Sequence, residues 1–392
     1  MLFHYIKQSL KHGAVSLVRR QVYFWMMVVV PLASSWFFFD LMNEGAVERV
    51  PVGIVDLDNT SLSRTLTRNL SAFKTVDVKY HFRNYQEATD AVQRGLVLGF
   101  FYIPSDLSEK ALSGNKPTVS YYINYAYYTP ASTMFKGFKT ISVMANGAIV
   151  STALQTLGVP GPTISATLQP VLTDVHALNN PWTNYSYYLN NSFVPCFLAL
   201  IILLVTAFSI GTELKYGTCR QWLQEAGDSI IVAITGKILP QTVIFTAMGW
   251  FIQLMMYRIY GFPLNCAPSH MLWAMFLFVL ANQGWALFVM CVVPNFRLGS
   301  MLCTLLGMLS FSFCGFSLPQ ESMYAWIEAI GFIMPVKYFF LISIDQALNG
   351  IDLYFSRVYY AVLIGFILLP WPLIWPLIWR LKKECLHPVY VP

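Results

Sequence analysis

Charged residues are scarce in this chain. Asp, Glu, Lys and Arg make up 11% of its 392 residues, against about 25% in an ordinary soluble domain. The hydrophobic fraction is 56% and the mean hydropathy is +0.54. These values argue against a cytosolic enzyme, a disordered chain and a nucleic-acid-binding protein. The 7 cysteines show no C-x-x-C spacing and are too few for a disulfide framework, so we interpret them as small apolar packing residues.

The chain also lacks the common signatures of nucleotide-binding and hydrolytic sites. Gly236-Lys237 is followed by Ile238 where a phosphate-binding loop needs Ser or Thr, and Ile231 stands where its first Gly should be. Neither a Ser-His-Asp arrangement nor an H-E-x-x-H motif occurs. We therefore expect no ATP site of this type, no enzymatic activity, and no metal or cofactor.

Long apolar runs are what the sequence has in abundance. A helix of roughly 20 residues crosses the hydrocarbon core of a bilayer, and a charge at its centre costs roughly 2.5–3.5 kcal/mol. Six runs meet or nearly meet this length, and their interiors contain no Asp, Glu, Lys or Arg. They are Val22–Leu41, Phe193–Ile210, Ile238–Tyr257, Met271–Val293, Leu298–Leu318 and Val358–Trp379. The sequence therefore predicts an α-helical polytopic membrane protein with six transmembrane helices, the first within residues 22–42.

Lysine and arginine in the flanks of these runs indicate an orientation. The short loop Gly261–His270 carries none, and the segment Pro319–Arg357 carries only Lys337 and Arg357. Most of the other flanking Lys and Arg fall in segments that share the opposite side, and Arg258 is the one misfit. Because cytoplasmic loops carry the excess of these residues, both termini are predicted to be cytoplasmic.

Residues 1–21, ahead of the first run, have a helical pattern of their own. Ile6, Leu10, Ala14 and Leu17 recur at helical spacing. This pattern predicts an amphipathic interfacial helix on the inner membrane surface. An ordinary polar lead-in to the first span is the alternative.

Residues 43–190 are more polar and long enough to form a core. Predicted strands alternate there with predicted helices. The strands are Val50–Asp58, Val76–Phe82, Val97–Ile103 and Thr118–Tyr127; the helices are Ser61–Phe73, Tyr85–Arg94, Asp106–Leu112 and one from Thr129 to about Leu157. Thr129 is expected to cap this last helix, with Pro130 in its first turn. The alternation predicts an inserted extracytoplasmic α/β domain.

The stretch from Asp56 to Thr60, at the end of the first predicted strand, has two interpretations. An apolar strand followed by D-x-D-x-T resembles the first motif of haloacid-dehalogenase phosphatases, in which Asp56 would be a nucleophile and Asp58 a general acid. The acidic pair that such enzymes need for Mg²⁺ is missing between residues 60 and 190. The simpler interpretation is that these residues end a strand and cap a helix.

Residues 191–392 contain predicted transmembrane helices 2–6 and two segments with a functional signal. The first is the cytoplasmic loop 211–237, in which Trp222 and Leu223 are expected to be exposed apolar residues. A short helix of about ten residues there could dock into a cleft on a partner and transmit force. The alternative is a solvated helix that rests on lipid.

The second segment, 315–355, lies on the outer side and is apolar but interrupted by Pro and Gly. Broken backbone at membrane depth is tolerated where protein or water covers it. We therefore predict a re-entrant segment that lines a pathway or its gate.

Together these two segments resemble the type-2 permease family of ABC transporters. The family's cytoplasmic loop reads R-E-x-E-x-G-T, then Pro, then G-K; Glu213, Gly217, Thr218, Gly236 and Lys237 match it, whereas Thr212, Lys215 and Ala226 depart from it. The outer motif, G-x-x-x-P followed by Met, Trp and Pro-x-x-Tyr/Phe, is matched by Gly315, Pro319, Met323, Trp326, Pro335 and Tyr338.

The resemblance implies a function and partners. The chain would be the membrane subunit of an ATP-driven exporter in a bacterial inner membrane, moving an amphiphilic or apolar cargo among membrane lipid. A separate ATP-binding subunit would seat on a coupling helix; the residues implied are Glu213, Tyr216, Gly217, Thr218, Arg220, Gln221, Trp222, Leu223, Gly236 and Lys237. A second permease chain and a periplasmic adaptor would complete the assembly. The rivals are an extracytoplasmic phosphatase using Asp56 and Asp58, and a receptor that transports nothing.

Overall fold

The computed structural model describes residues 2–41, 43, 45, 48–113, 118–156, 158, 160–161, 184–316 and 322–373. The chain divides into two compact units. The first comprises Met1–Gly45 and Ala177–Pro392, and the second comprises Ala46–His176. Pro319 of the predicted gate lies outside the described residues, as does the end of the predicted sixth span beyond Leu373.

Helices form the first unit. They are α1 (Leu2–Arg19) and α2 (Gln21–Leu41), then α7 (Tyr185–Tyr216), α8 (Cys219–Glu225), α9 (Ile230–Ile259), α10 (Pro268–Val292), α11 (Phe296–Phe313), α12 (Ala325–Phe332), α13 (Pro335–Leu348) and α14 (Leu353–Leu368). Six of them, α2, α7, α9, α10, α11 and α14, are long and apolar enough to cross a membrane. The described structure is therefore a mostly helical, polytopic membrane protein with the predicted number of candidate spans.

The loop predicted over residues 211–237 is much shorter in the structure. Helix α7 continues through Tyr216 and α9 begins at Ile230, so the predicted ten-residue helix is reduced to the 7 residues of α8. Gly217 ends α7 in the left-handed conformation, at φ 66°, which a residue without a Cβ adopts at little cost. Asp228, at φ 56°, takes the same conformation just before α9.

Two short helices occupy the predicted outer segment. Helices α12 and α13 are bent by 83° at the break between them, a geometry that fits either a broken span or a re-entrant loop. Pro335 opens α13, where its fixed φ and missing N–H carry no penalty.

Helices α7 and α10 form the interior of the first unit. Of the most apolar window of each span, 78% is buried in α10 and 72% in α7, against 28% in α2 and 22% in α11. Helices α7 and α11 pack closely, because Gly307 lies against the backbone of Leu200. The large apolar side chains on the outer faces of α2 and α11 are exposed, as expected for surfaces that face lipid or another chain.

The second unit contains a four-stranded sheet in the order β2-β1-β3-β4. The strands are β1 (Val50–Asp56), β2 (Val76–Phe82), β3 (Gly99–Ile103) and β4 (Ser120–Ile123). Strand β1 is parallel to β2 and β3, and β4 is antiparallel to β3. The accompanying helices are α3 (Ser61–Ser71), α4 (Tyr85–Gln93), α5 (Leu107–Leu112) and α6 (Tyr128–Thr156). All four predicted strands and all four predicted helices are thus present.

One detail of this unit differs from expectation. Helix α6 begins at Tyr128, so Thr129 lies within its first turn and is not the capping residue. The Thr129 carbonyl accepts hydrogen bonds from the hydroxyls of Ser132 and Thr133. These hydrogen bonds lie within the first turn of α6, as expected for a residue inside the helix.

The contact between α7 and α11 yields a test of the packing. A Cβ on Gly307 would stand 3.0 Å from the Cα of Leu200, whereas a Cβ on Gly365 of α14 meets no described atom within 4 Å. We expect Gly307→Val to destabilise the purified protein by about 1–3 kcal/mol, the range for an overpacked core. Gly365→Val is the matched control, since both changes place Val in a membrane helix. Equal thermal unfolding midpoints for the two variants would contradict this packing.

Candidate coupling site at the ends of α1, α7, α8 and α9

Helix α1 packs closely on the first turns of α9. The Ser9 hydroxyl donates to the carbonyl of Val232 at 3.0 Å. A Cβ on Gly13 would collide with the Gly236 carbonyl oxygen, and a Cβ on Gly236 would collide with the Ser9 side chain. Small residues at these three positions therefore let the two helices touch backbone to backbone.

A buried ion pair lies beside this contact. The Glu213 carboxylate, near the end of α7, accepts hydrogen bonds from the Lys237 ammonium and the Thr218 hydroxyl. Lys237 is 2% exposed and Glu213 is 8% exposed. Such burial is tolerated because each charge has its partner at hand. The Lys237 ammonium also lies 5.0 Å from the centre of the Trp222 ring, within cation–π range.

His12 connects α1 to the same cluster. Its Nδ1 lies 2.7 Å from Glu225 of α8, and its Nε2 lies 3.9 Å from Glu213. Interaction with Glu213, together with the charge on Glu225, raises the pKa of His12 above its usual value, although partial burial opposes this. One imidazole thus joins the N-terminal helix to both the short helix α8 and the end of α7.

The expectation that Trp222 and Leu223 are exposed was wrong. They are only 2% and 8% exposed, because the side of α8 that carries them faces the interior of the first unit. There Trp222 covers the Lys237 ammonium. We call residues 211–237 the coupling segment. Around α8, the part of this segment that remains open to solvent is polar, and we call it the exposed edge of the coupling segment. It consists of Lys215, Tyr216, Gly217, Arg220, Gln221 and Gln224.

The predicted coupling residues therefore separate into two groups. Tyr216, Gly217, Arg220 and Gln221 lie on the exposed edge. The buried group comprises Glu213, Trp222, Leu223, Gly236 and Lys237, with Thr218 half-buried beside it. Four further residues that no sequence motif singled out also belong to this site: Ser9, His12, Gly13 and Glu225. Gly13 carried a usable signal, since a glycine inside a helix costs about 1 kcal/mol and so indicates a close approach.

The predicted gate residues are only partly brought together. Pro335 and Tyr338 are buried in α13, and the Tyr338 hydroxyl donates to the carbonyl of Phe332 at 2.9 Å. Trp326 of α12 is 66% exposed. Met323 and Gly315 are half-buried, and Gly315 takes a positive φ of 88°.

The two aspartates of the phosphatase hypothesis have structural partners. Asp56 accepts backbone hydrogen bonds from Asp58 and Asn59, and Asp58 accepts from the hydroxyls of Ser108, at 2.7 Å, and Thr60. Burial acts to raise the pKa of Asp58, but the hydrogen bonds from Ser108 and Thr60 outweigh it and lower that pKa. Thr60 also caps α3. Among the described residues, no group of three or more His, Cys, Asp or Glu could hold a metal ion. The geometry favours the turn-and-cap interpretation.

The ion pair can be tested by a double-mutant cycle. Glu213→Gln or Lys237→Met alone leaves one buried charge without its partner, a loss of about 3–5 kcal/mol. The double variant removes both charges, so its thermal unfolding midpoint should recover most of the loss. Losses that simply add in the double variant would show that the two groups do not interact.

His12 makes the same cluster sensitive to pH. Since its pKa is raised on folding, its contribution to stability is fully present below about pH 6.5 and is lost as the pH rises through the folded-state pKa. The difference in unfolding midpoint between wild type and His12→Gln should therefore shrink from about pH 6 to pH 9. His4→Gln, an exposed position on the same helix, is the control. A difference that stays constant over this range would refute the contact.

Comparison with known proteins places these features in a family. The family model described as "ABC-2 family transporter protein" matches residues 21–377. Two proteins named "Probable multidrug ABC transporter permease YbhR", from Escherichia coli K12 and from Escherichia coli O157:H7, are each 20% identical to this chain over 319 residues. The alignment covers 80% of this chain and 82% of each relative.

The family match spans most of the chain and includes all six candidate spans. It implies a multi-pass inner-membrane subunit that works with an ATP-binding subunit and often with a second permease. This chain belongs to the ABC-2 transporter family, as the membrane permease subunit of an ABC transporter.

Proposed function

We propose that this permease exports an amphiphilic or apolar cargo, driven by ATP hydrolysis on a separate subunit that binds the exposed edge of the coupling segment. The observation that carries the proposal is the buried cluster beneath that edge. Trp222, Lys237 and Glu213 fix α8 to the ends of two spanning helices. A partner that moves α8 therefore moves these helices as well.

The energy for transport comes from a difference in how tightly the ATPase subunit binds two conformations of the permease. A partner shifts a conformational equilibrium only by the difference in its affinity for the two states. In this proposal the ATP-bound partner favours one position of α8, and its other state favours another. The short helix behaves as a lever because its inner edge is tied down, by His12 through Glu225 and by the Lys237 ammonium beneath Trp222.

We propose cytoplasmic termini and an extracytoplasmic second unit. The bias of Lys and Arg toward the flanks on one side supports this orientation. The second unit follows the first span and precedes the second, so cytoplasmic termini imply an extracytoplasmic second unit. Its mixed sheet supports an inserted α/β domain, and its surface is where a periplasmic adaptor would dock.

The spanning helices support an apolar cargo. Lys237 and Glu213 are paired with each other, so this pair offers no free charge for coupling to an ion gradient, which generally needs intramembrane ionisable groups. The buried Lys337 of α13 lies against the Phe332 ring. The relatives are named for multidrug transport, which agrees with such a cargo. The bent pair α12 and α13, with Trp326 exposed, would form the outer part of the pathway, where membrane lipid also has access.

A charge reversal on the exposed edge tests the proposal. Arg220→Glu should reduce the amount of ATPase subunit that co-purifies with the permease by about tenfold or more, since a reversed charge at an interface costs at least about 1.4 kcal/mol, which is a factor of ten in affinity. ATP-dependent uptake of a lipophilic fluorescent dye into inverted vesicles should fall in parallel. Arg297→Glu, an exposed residue outside the coupling segment, is the control. Normal assembly and uptake in Arg220→Glu would contradict the assignment of the binding surface.

A further inference from the structure

The second unit contains an open pocket of about 630 Å³ with no role in the proposed coupling. It lies at the carboxyl ends of the parallel strands β1 and β2, beside α3. This edge of a parallel sheet is where α/β domains commonly bind ligands. Its volume falls within the range of about 300–1,000 Å³ that is typical of small-molecule sites.

An irregularity in β2 shapes the pocket. The register pairs Val52 with Val78 but Gly53 with Tyr80, so that Lys79 is skipped as a bulge. After the bulge, His81 lies opposite Ile54, on the face of the sheet that α3 covers. A regular strand would place Tyr80 there. Bulges on edge strands often redirect side chains in this way at functional sites.

The lining is strongly basic. Arg64 and Arg68 come from successive turns of α3, and Arg83 follows β2; all three line the pocket together with His81. Asp56 is its single acidic residue, and one carboxylate oxygen of Asp56 already accepts two backbone hydrogen bonds. The net charge of the lining is therefore positive whichever form His81 takes.

Two of the three guanidinium groups are available to a ligand. Arg64 donates to the backbone carbonyl of Asn59 at 2.8 Å. Within the part of the chain that the structure describes, no carboxylate pairs with the side chain of Arg68 or Arg83. Because the planar guanidinium matches the oxygens of a phosphate group in a bidentate manner, two unpaired arginines facing one pocket suit a phosphate dianion.

We propose that this pocket binds a phosphate group, carried either by a small soluble molecule or by a phospholipid headgroup. Arg68 and Arg83 would hold the phosphate oxygens. Arg64 would brace the turn that follows β1 and add positive charge. This inference concerns the second unit alone and does not depend on the direction of transport or on its cargo.

Calorimetric titration of the purified full-length protein tests the proposal. The probes are inorganic phosphate and pyrophosphate at low ionic strength, where surface charges are least screened. Wild type should bind at least one probe saturably, and the double variant Arg68→Gln/Arg83→Gln should bind it at least about tenfold more weakly, as expected for lost charge-assisted hydrogen bonds. Arg94→Gln is the control, because Arg94 is exposed on the same unit but does not line the pocket.

A second arm distinguishes the source of the phosphate. Short-chain phosphatidic acid and short-chain phosphatidylcholine replace the soluble probes. Binding of phosphatidic acid alone, lost in the double variant, assigns the pocket to a lipid headgroup, and binding of the soluble probes assigns it to a small phosphorylated molecule. Absence of saturable binding by every probe, or equal binding by wild type and by a double variant with an unchanged unfolding midpoint, would overturn the proposal. Neither result would affect the coupling of α8 to its partner.

Discussion

The buried pair of Glu213 and Lys237 is the constraint on which the packing of α1, α8 and the adjoining ends of α7 and α9 depends. An ammonium group that is almost wholly removed from water needs a counter-charge at hydrogen-bond distance, so the end of α7 and the start of α9 are held at one separation. Because Thr218 donates to the same carboxylate, the chain must turn immediately after α7. The left-handed Gly217 makes that turn possible.

The same pair organises the two elements around it. Trp222 covers the Lys237 ammonium from one side, and His12 approaches Glu213 from another. Helix α1 comes this close only because Gly13 and Gly236 lack side chains at the crossing. Helix α1, helix α8 and the first turns of α9 thereby form one body. A force on the exposed edge would reach the spanning helices through hydrogen bonds and packed rings.

Periodicity predicted the elements well and their contacts poorly. The spans and the strands of the second unit were found because apolar runs and alternating patterns are local properties of the sequence. The orientation of α8 is not local: Trp222 faces inward because an ammonium from another helix lies beneath it. The sequence around Trp222 alone could not supply that partner. The same limit applies to His12 and to the bulge at Lys79, which depend on a neighbouring helix and a neighbouring strand.

Helices α1 and α8 should move together, because His12 of α1 contacts Glu225 of α8. Spin labels at Lys7→Cys of α1 and at Asp228→Cys in the turn directly after α8, both exposed positions outside the proposed binding surface, would report the separation of the two helices by pulsed electron paramagnetic resonance. The measurement needs the assembled transporter with native cysteines replaced, without nucleotide and with ATP trapped on its partner. If the two helices form one body, the distance distribution is narrow and is the same in both states. A shift of several ångströms between the states would show that the coupling segment moves independently of α1, and would contradict this arrangement.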